Sequence, residues 1–452
     1  MAIQPLGLLR LQTRRLLDRA TERNPLPEGT MSVGLGLVIS GIATYGFLAI
    51  TKRALGEDAF APVSLLWFLT FILAPGFFLP VEQEVGRALA HRRAIAQGTR
   101  PVVERAAVLE GILLVTITVV MLAVSPLLVS HLFDGSWALF VSLLIAFWSY
   151  AVAHLTRGVW SGTGRFNAYA TFMGSEGVVR MAAAAVLSVA GVTAVGPYGI
   201  LVGLPALAAV LISRRGQHDV LDDGPEASWS ELTPNLGWLL VGSVFAAALL
   251  NAGPIAANAL KTSSAQNALV TQLSTGVIIA RVPLFLFQAV QAALLPKLAR
   301  LAARGALDDF ARGFRKLLRL VLVVAVLAVI GAFLLGPFVV KVFFDTELSR
   351  RTLTMLALSS SLYMIALALA QAVIALHGHA KVALGWMIGF VTFIVVCAVP
   401  DDDLLLRVEV ALVAGSVAAL LVFGVVLRSL MRTGVRPDED SILEAFGELP
   451  LE

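Results

Sequence analysis

Twelve stretches of about twenty mostly apolar residues follow one another along this chain: 32–51, 62–81, 106–129, 137–156, 169–190, 194–213, 236–259, 268–295, 317–340, 353–376, 382–400 and 408–427. No other feature limits the fold so strongly. About twenty such residues in a helix match the hydrocarbon thickness of a bilayer. Lipid offers no partner to a bare backbone N–H or C=O, so each stretch must satisfy its backbone within itself. The sequence predicts an all-α polytopic membrane protein with about 12 transmembrane helices. Only 14% of the 452 residues are charged, against about 25% in ordinary soluble domains.

The connecting segments carry charge unevenly. Sorted alternately to two sides, one side holds 25 of the 34 Lys and Arg residues and the other holds 7; Arg180 and Arg281 lie inside spans. Positive loops stay cytoplasmic, so both termini are expected in the cytoplasm. The net charge of +4 is then a topology signal and calls for no nucleic-acid partner. Residues 1–31 hold Arg10, Arg14, Arg15 and Arg19 beside a leucine face, a basic amphipathic segment suited to an anionic leaflet and membrane lipids. Residues 428–452 form an acidic cytoplasmic tail with a Ser441–Glu444 capping-box pattern, a place for partner proteins.

Loops on the other side are short, which leaves no room for an external catalytic domain; no enzyme is expected. Asp401–Asp403 reads as a solvated turn, not a metal site. Cys397 is the single cysteine and cannot pair within the chain. No phosphate-cradling glycine loop is present, so no nucleotide cofactor is expected.

The cytoplasmic segment 214–235 separates six spans (32–213) from six (236–427). The halves share faint similarity: Pro75 and Gln83 match Pro283 and Gln291 at one offset, and Gly164 and Met173 match Gly378 and Met387 at another. Two six-helix lobes with the same orientation would be related by an axis along the membrane normal and enclose a central cavity. Rocking one lobe against the other gives alternating access.

At the first span exit stand Arg53, Leu55, Gly56, Glu57, Asp58 and Phe60, and "EQEVGRALAHRRA" and "RGVWSGTGRFNAYA" follow the second and fourth spans. These stretches resemble the polysaccharide exporters of the multidrug/oligosaccharidyl-lipid/polysaccharide (MOP) flippase superfamily. The resemblance implies a bacterial inner-membrane protein and an undecaprenyl-(pyro)phosphate-linked oligosaccharide as substrate. It also implies cell-envelope synthesis as the setting.

The residues that could meet such a substrate are the polar ones inside spans. A charge at mid-bilayer costs on the order of 2.5–3.5 kcal/mol even on mild scales, and such charges are usually functional. Arg281 is expected to line the cavity and offer its planar fork to phosphate; a structural pair with a glutamate is the other reading. Glu176 and Arg180 are four residues apart, on one helix face. They are either a self-neutralised pair or a cavity pair, and Glu176 could carry a coupling H⁺ or Na⁺. Asn251 and Asn258 share a face of the seventh span, with Pro254 between them as a hinge. Gln288 and Gln291 continue the Arg281 face, and Arg53 stands near the outer surface. Glu82, Glu84, Glu110 and His154 are read as interfacial. The expected activity is flipping of a lipid-linked saccharide, driven by an ion gradient. The alternatives are a small-molecule or drug exporter of the same superfamily and a non-transporting scaffold.

Overall fold

A computed structural model describes residues 30–232, 236–263, 266–284, 287, 307–376 and 378–433. Residues 1–29 of the basic N-terminal segment, Gln288, Gln291 and the acidic tail beyond Thr433 fall outside these residues, while 428–433 continue the last helix. The described chain is helical and contains no strand: α1 (Thr30–Ala94), α2 (Arg100–Ala123), α3 (Ser125–His131), α4 (Trp137–Gly162), α5 (Phe166–Val189), α6 (Val195–Ile200), α7 (Leu204–Arg214), α8 (Leu236–Leu260), α9 (Asn267–Ala280), α10 (Leu307–Phe344), α11 (Arg350–Ala375), α12 (His379–Ala398) and α13 (Leu404–Thr433).

Nine of these helices are long and apolar enough to cross a membrane. Eleven of the twelve apolar stretches fall on described helices, the third running over α2 and α3 with a break at Val124; the eighth runs on past residue 284, mostly outside the described residues. The 65-residue α1 holds two spans in two arms that meet at Gly56, whose φ of 77° and ψ of 175° suit only glycine. The sixth stretch is broken into α6 and α7, just before Pro205. The eighth begins as α9, which stops at Ala280, shortly before Pro283.

Two bodies result. Helix α1 packs on α4 and α5, and α5 on α7. In the second half, α13 packs on α11 and α12, α12 on α8, and α10 on α11. The halves meet where α1 lies along α8 and α9. Exposed apolar side chains cover the rest, as on α2 (Ile112, Val115, Val119) and α10 (Val323, Leu327, Leu334). Such surfaces belong in lipid.

The described part of the 214–235 linker is fastened to the first half. Arg92 at the end of α1 is 2% exposed. It donates to both Glu231 oxygens at 2.7 and 3.0 Å and to the carbonyls of Gly98, Pro225 and Glu226. Gly98 and Gly224 touch backbone to backbone; a Cβ on Gly98 would lie 2.0 Å from the Asp223 carbonyl oxygen. The linker end of the molecule is the end carrying this segment, and the Gly56 end is the opposite one.

Candidate functional site

Arg281 sits where the halves meet, at the C-terminus of α9. Its Nη1 donates to Asn251 Oδ1 at 2.8 Å, its Nη2 donates to the Leu250 carbonyl, and its guanidinium lies 5.1 Å above the Phe68 ring. The acceptor on Leu250 exists because Pro254 lacks the N–H that would otherwise take it four residues on. Asn251 reaches the other way. Its Nδ2 donates to the Phe71 carbonyl of α1 at 3.2 Å, and that carbonyl is left open by Pro75. Two prolines in different halves thus supply the two ends of a chain: Phe71 carbonyl, Asn251 amide, Arg281 guanidinium, Leu250 carbonyl. Among the described residues no carboxylate pairs with Arg281. Its Nε is buried and has no hydrogen-bond partner among them.

Glu176 and Arg180 form the expected i,i+4 ion pair. Both are buried within the first half. Tyr150 donates to Glu176 at 2.8 Å, and Arg180 donates to Tyr150 Oη at 3.0 Å and to the Leu201 carbonyl at 3.2 Å. Pro205 opens that Leu201 carbonyl, as Pro254 opens Leu250. The Arg180 guanidinium lies 5.4 Å over Trp67. The two deep arginines therefore sit on adjacent rings of α1, Trp67 toward the inside of the first half and Phe68 toward the interface. Of the two, Arg281 is the one with a buried donor that has no partner among the described residues.

Asn258 and Arg53 lie at the Gly56 end and hold the halves together there. Asn258 Nδ2 donates to the His131 carbonyl at 2.7 Å. Arg53 and Lys52 donate to the Val342 and Phe344 carbonyls at the C-terminus of α10, at 2.8 and 3.0 Å. Cations are favoured at that end of a helix, where carbonyls lack partners. Glu57 completes the latch: it pairs with Lys52 at 3.3 Å and accepts from Thr346 at 3.3 Å. Tyr45 donates to the Ile278 carbonyl at 2.9 Å. The interface is thus filled at the Gly56 end. Gln288 and Gln291, the other expected wall residues, lie outside the described residues.

One cluster departs from the sequence reading. Glu82, Glu110 and His154 are buried rather than interfacial. Glu82 accepts from Arg157 and Tyr169 and meets His154 Nδ1 at 2.7 Å. The signal was present on α4: Tyr150, His154, Arg157 and Ser161 recur at helical spacing as a polar stripe through an apolar helix. Glu84 is also buried and accepts from Arg87 Nε at 2.8 Å.

No known family profile and no curated protein sequence matches the chain. Solved structures do. An inward-facing multidrug resistance MATE family transporter of the MOP superfamily aligns with TM-score 0.68 and 15% identity, over 90% of this chain and 99% of that one. This chain has the MATE fold. An outward-facing transporter of that kind aligns at 0.65 and 15%, over 89% and 94% of the two chains. A mutant of a Vibrio cholerae MATE transporter aligns at 0.65 and 13%, over 90% and 99%. The MATE fold is twelve helices in two lobes, and the linker of this chain has α1–α7 before it and α8–α13 after it. The architecture read from the apolar stretches stands, and the superfamily resemblance holds at the level of fold.

Proposed function

We propose that this protein is an alternating-access transporter that flips an anionic, lipid-linked saccharide, of the undecaprenyl-(pyro)phosphate class, across the bacterial inner membrane. The observation that carries the reading is Arg281. It lies at the lobe interface, is held by neutral acceptors, and keeps one buried donor without a partner among the described residues. A phosphate oxygen satisfies such a donor and offsets the cost of the charge. Both termini and the linker end face the cytoplasm on this reading, and the latched Gly56 end faces outward. An ion gradient drives the cycle, and the acidic tail is available to cell-envelope synthesis proteins.

A second reading is an exporter of small molecules. It is favoured by the structural neighbours, which are described as multidrug resistance transporters, and by the aromatic residues Phe68, Tyr45 and Tyr363 around Arg281. The deciding experiment reconstitutes the protein in vesicles and compares flipping of a fluorescent lipid pyrophosphate with uptake of a cationic dye. Lipid flipping that is lost in Arg281→Ala and partly retained in Arg281→Lys supports the first reading. Dye transport unaffected by Arg281→Ala, without lipid flipping, supports the second.

A further inference from the structure

Glu409 is the least expected acid in the described molecule. It lies on α13, is 0% exposed, and among the described residues neither of its oxygens has a partner at hydrogen-bond geometry. Arg351 Nε makes a long ion-pair contact with Oε2 at 3.6 Å, beyond hydrogen-bond reach. Arg351 instead donates to Asp403 Oδ2 at 2.7 Å, at the surface of the Gly56 end. A neutral carboxyl tolerates such a place; an ionised one needs donors. Arg351 is the charged donor at hand, and moving it by about an ångström would trade Asp403 for Glu409.

One neutral donor faces it besides Arg351, and no charge but those of Arg351 and Asp403 reaches it among the described residues. Arg351 on α11 and Asp403 at the start of α13 are the charges that act on Glu409, and the Thr352 hydroxyl of α11 faces it too. That hydroxyl accepts from Ser349 Oγ at 2.9 Å and keeps its own O–H to turn toward Glu409 in either protonation state. From α8, Gly253 faces Leu412 and Val408; from α12, Gly389 faces Gly415 and Ala419. The first contact is apolar and the second sets Gly389 against Ala419 and the Gly415 carbonyl, so neither brings a charge. Arg407 donates to the Cys397 carbonyl. Deeper on the same face of α13, Ser416 follows Glu409 by two turns, about 10 Å. It lines a cavity of about 20 Å³ with Ser359, Ser360, Tyr363, Leu249 and Leu250, room for about one water. Leu250 is the residue whose carbonyl holds Arg281.

We propose that Glu409 is a proton-carrying site opening to the Gly56 end, with Arg351 as its switch between Asp403 and Glu409. In one state Glu409 is a neutral acid and Arg351 rests on Asp403. Loss of the proton to water at the Gly56 end leaves a carboxylate, and Arg351 swings onto it. Uptake of a proton reverses the exchange. The site lies in the second lobe and does not depend on which cargo the protein carries; it does rest on the protein being a transporter for its use.

The test uses the full chain in detergent and in vesicles. Infrared difference spectra across a pH series should show a protonated-carboxyl band that is absent in Glu409→Gln. Asp403→Asn, which leaves Arg351 to Glu409 alone, should shift the pH at which the band titrates. Glu409→Gln should melt no lower than the parent and should lose the dependence of transport on pH at the Gly56 side. A band unchanged by Glu409→Gln overturns the proposal. So does a Glu409→Gln protein that melts lower while Glu409→Gln with Arg351→Gln recovers, since that is a structural ion pair. If the band behaves as expected but no variant or parent transports any cargo, the proton site stands and the transport reading falls.

Discussion

Pro254 creates the acceptor that Arg281 uses: the Leu250 carbonyl, four residues before the proline, takes the guanidinium because no backbone N–H competes for it. Pro254→Ala restores that N–H. Proline costs about 3 kcal/mol relative to alanine in a helix interior, so the variant should melt no lower than the parent. Flipping should slow, because the Leu250 carbonyl is now shared and α8 is stiffer. Thermal melting and vesicle transport check both halves. An unchanged rate at equal stability would make Pro254 only a tolerated bend.

The two deep arginines should respond oppositely to removal. Arg180→Ala strands the buried Glu176 carboxylate, at a cost of about 3–5 kcal/mol, and the protein should misfold or be degraded. Glu176→Gln in the same chain should restore much of the loss. Arg281→Ala leaves no described carboxylate behind. It should melt within about 2 kcal/mol of the parent, since only neutral acceptors lose a donor, and fail in transport. Expression level, melting temperature and flipping rate separate the two patterns.

Asn251→Asp gives Arg281 a carboxylate in place of an amide oxygen and removes the donor to the Phe71 carbonyl. The expected result is a folded protein that does not transport, with its arginine held by a charge. Asn251→Ser, small and neutral, should retain more activity.

These arginine sites show what a sequence makes legible. Span count followed from the lengths of apolar stretches, because the bilayer sets a length that a chain cannot evade. Arg281 stood out because a charge in such a stretch is costly. What holds it was also written in the sequence, in a less familiar form: Pro75, Pro205 and Pro254 each mark an open carbonyl four residues earlier, and a polar side chain takes each one. The Glu82–His154–Arg157–Tyr169 cluster was harder to see. Its members come from three helices and lie near span ends, where charge ordinarily meets water. Their burial depends on the linker and neighbouring helices closing over them. Glu409 was missed for a related reason: five residues from a helix start, it reads as a surface acid.

The linker clamp has a calculable pH range. Arg92 and Ser228 hold Glu231 down to about 2, against about 4.3 in an unfolded chain. A lowered carboxylate value means the contribution is present in full above about 4.3 and is lost as pH falls through about 2. Trypsin sensitivity at Arg214 and Arg215 should therefore stay low at neutral pH and rise in Glu231→Gln. Hydrogen-exchange protection across the linker, corrected for the intrinsic pH dependence of exchange, should be unchanged between pH 7 and 5.

Sidedness can be checked directly. In a Cys397→Ala background, a cysteine at Ser228 should resist a membrane-impermeant thiol reagent in intact cells and react after permeabilisation. Reaction in intact cells would reverse the orientation. In the same background a cysteine at Ser274, which faces Ser64 across the interface at 3.2 Å, should gain reactivity from outside when Lys52→Met loosens the latch.

The grip of Arg92 on the linker settles which part of the chain travels with which. The described linker up to Leu232 is cargo of the first lobe. A chain cut just after Leu232 would leave that grip whole. The two pieces, made separately in one cell, should find each other and work, whereas a cut at Arg215 would leave the second piece dragging a strap that belongs to its neighbour.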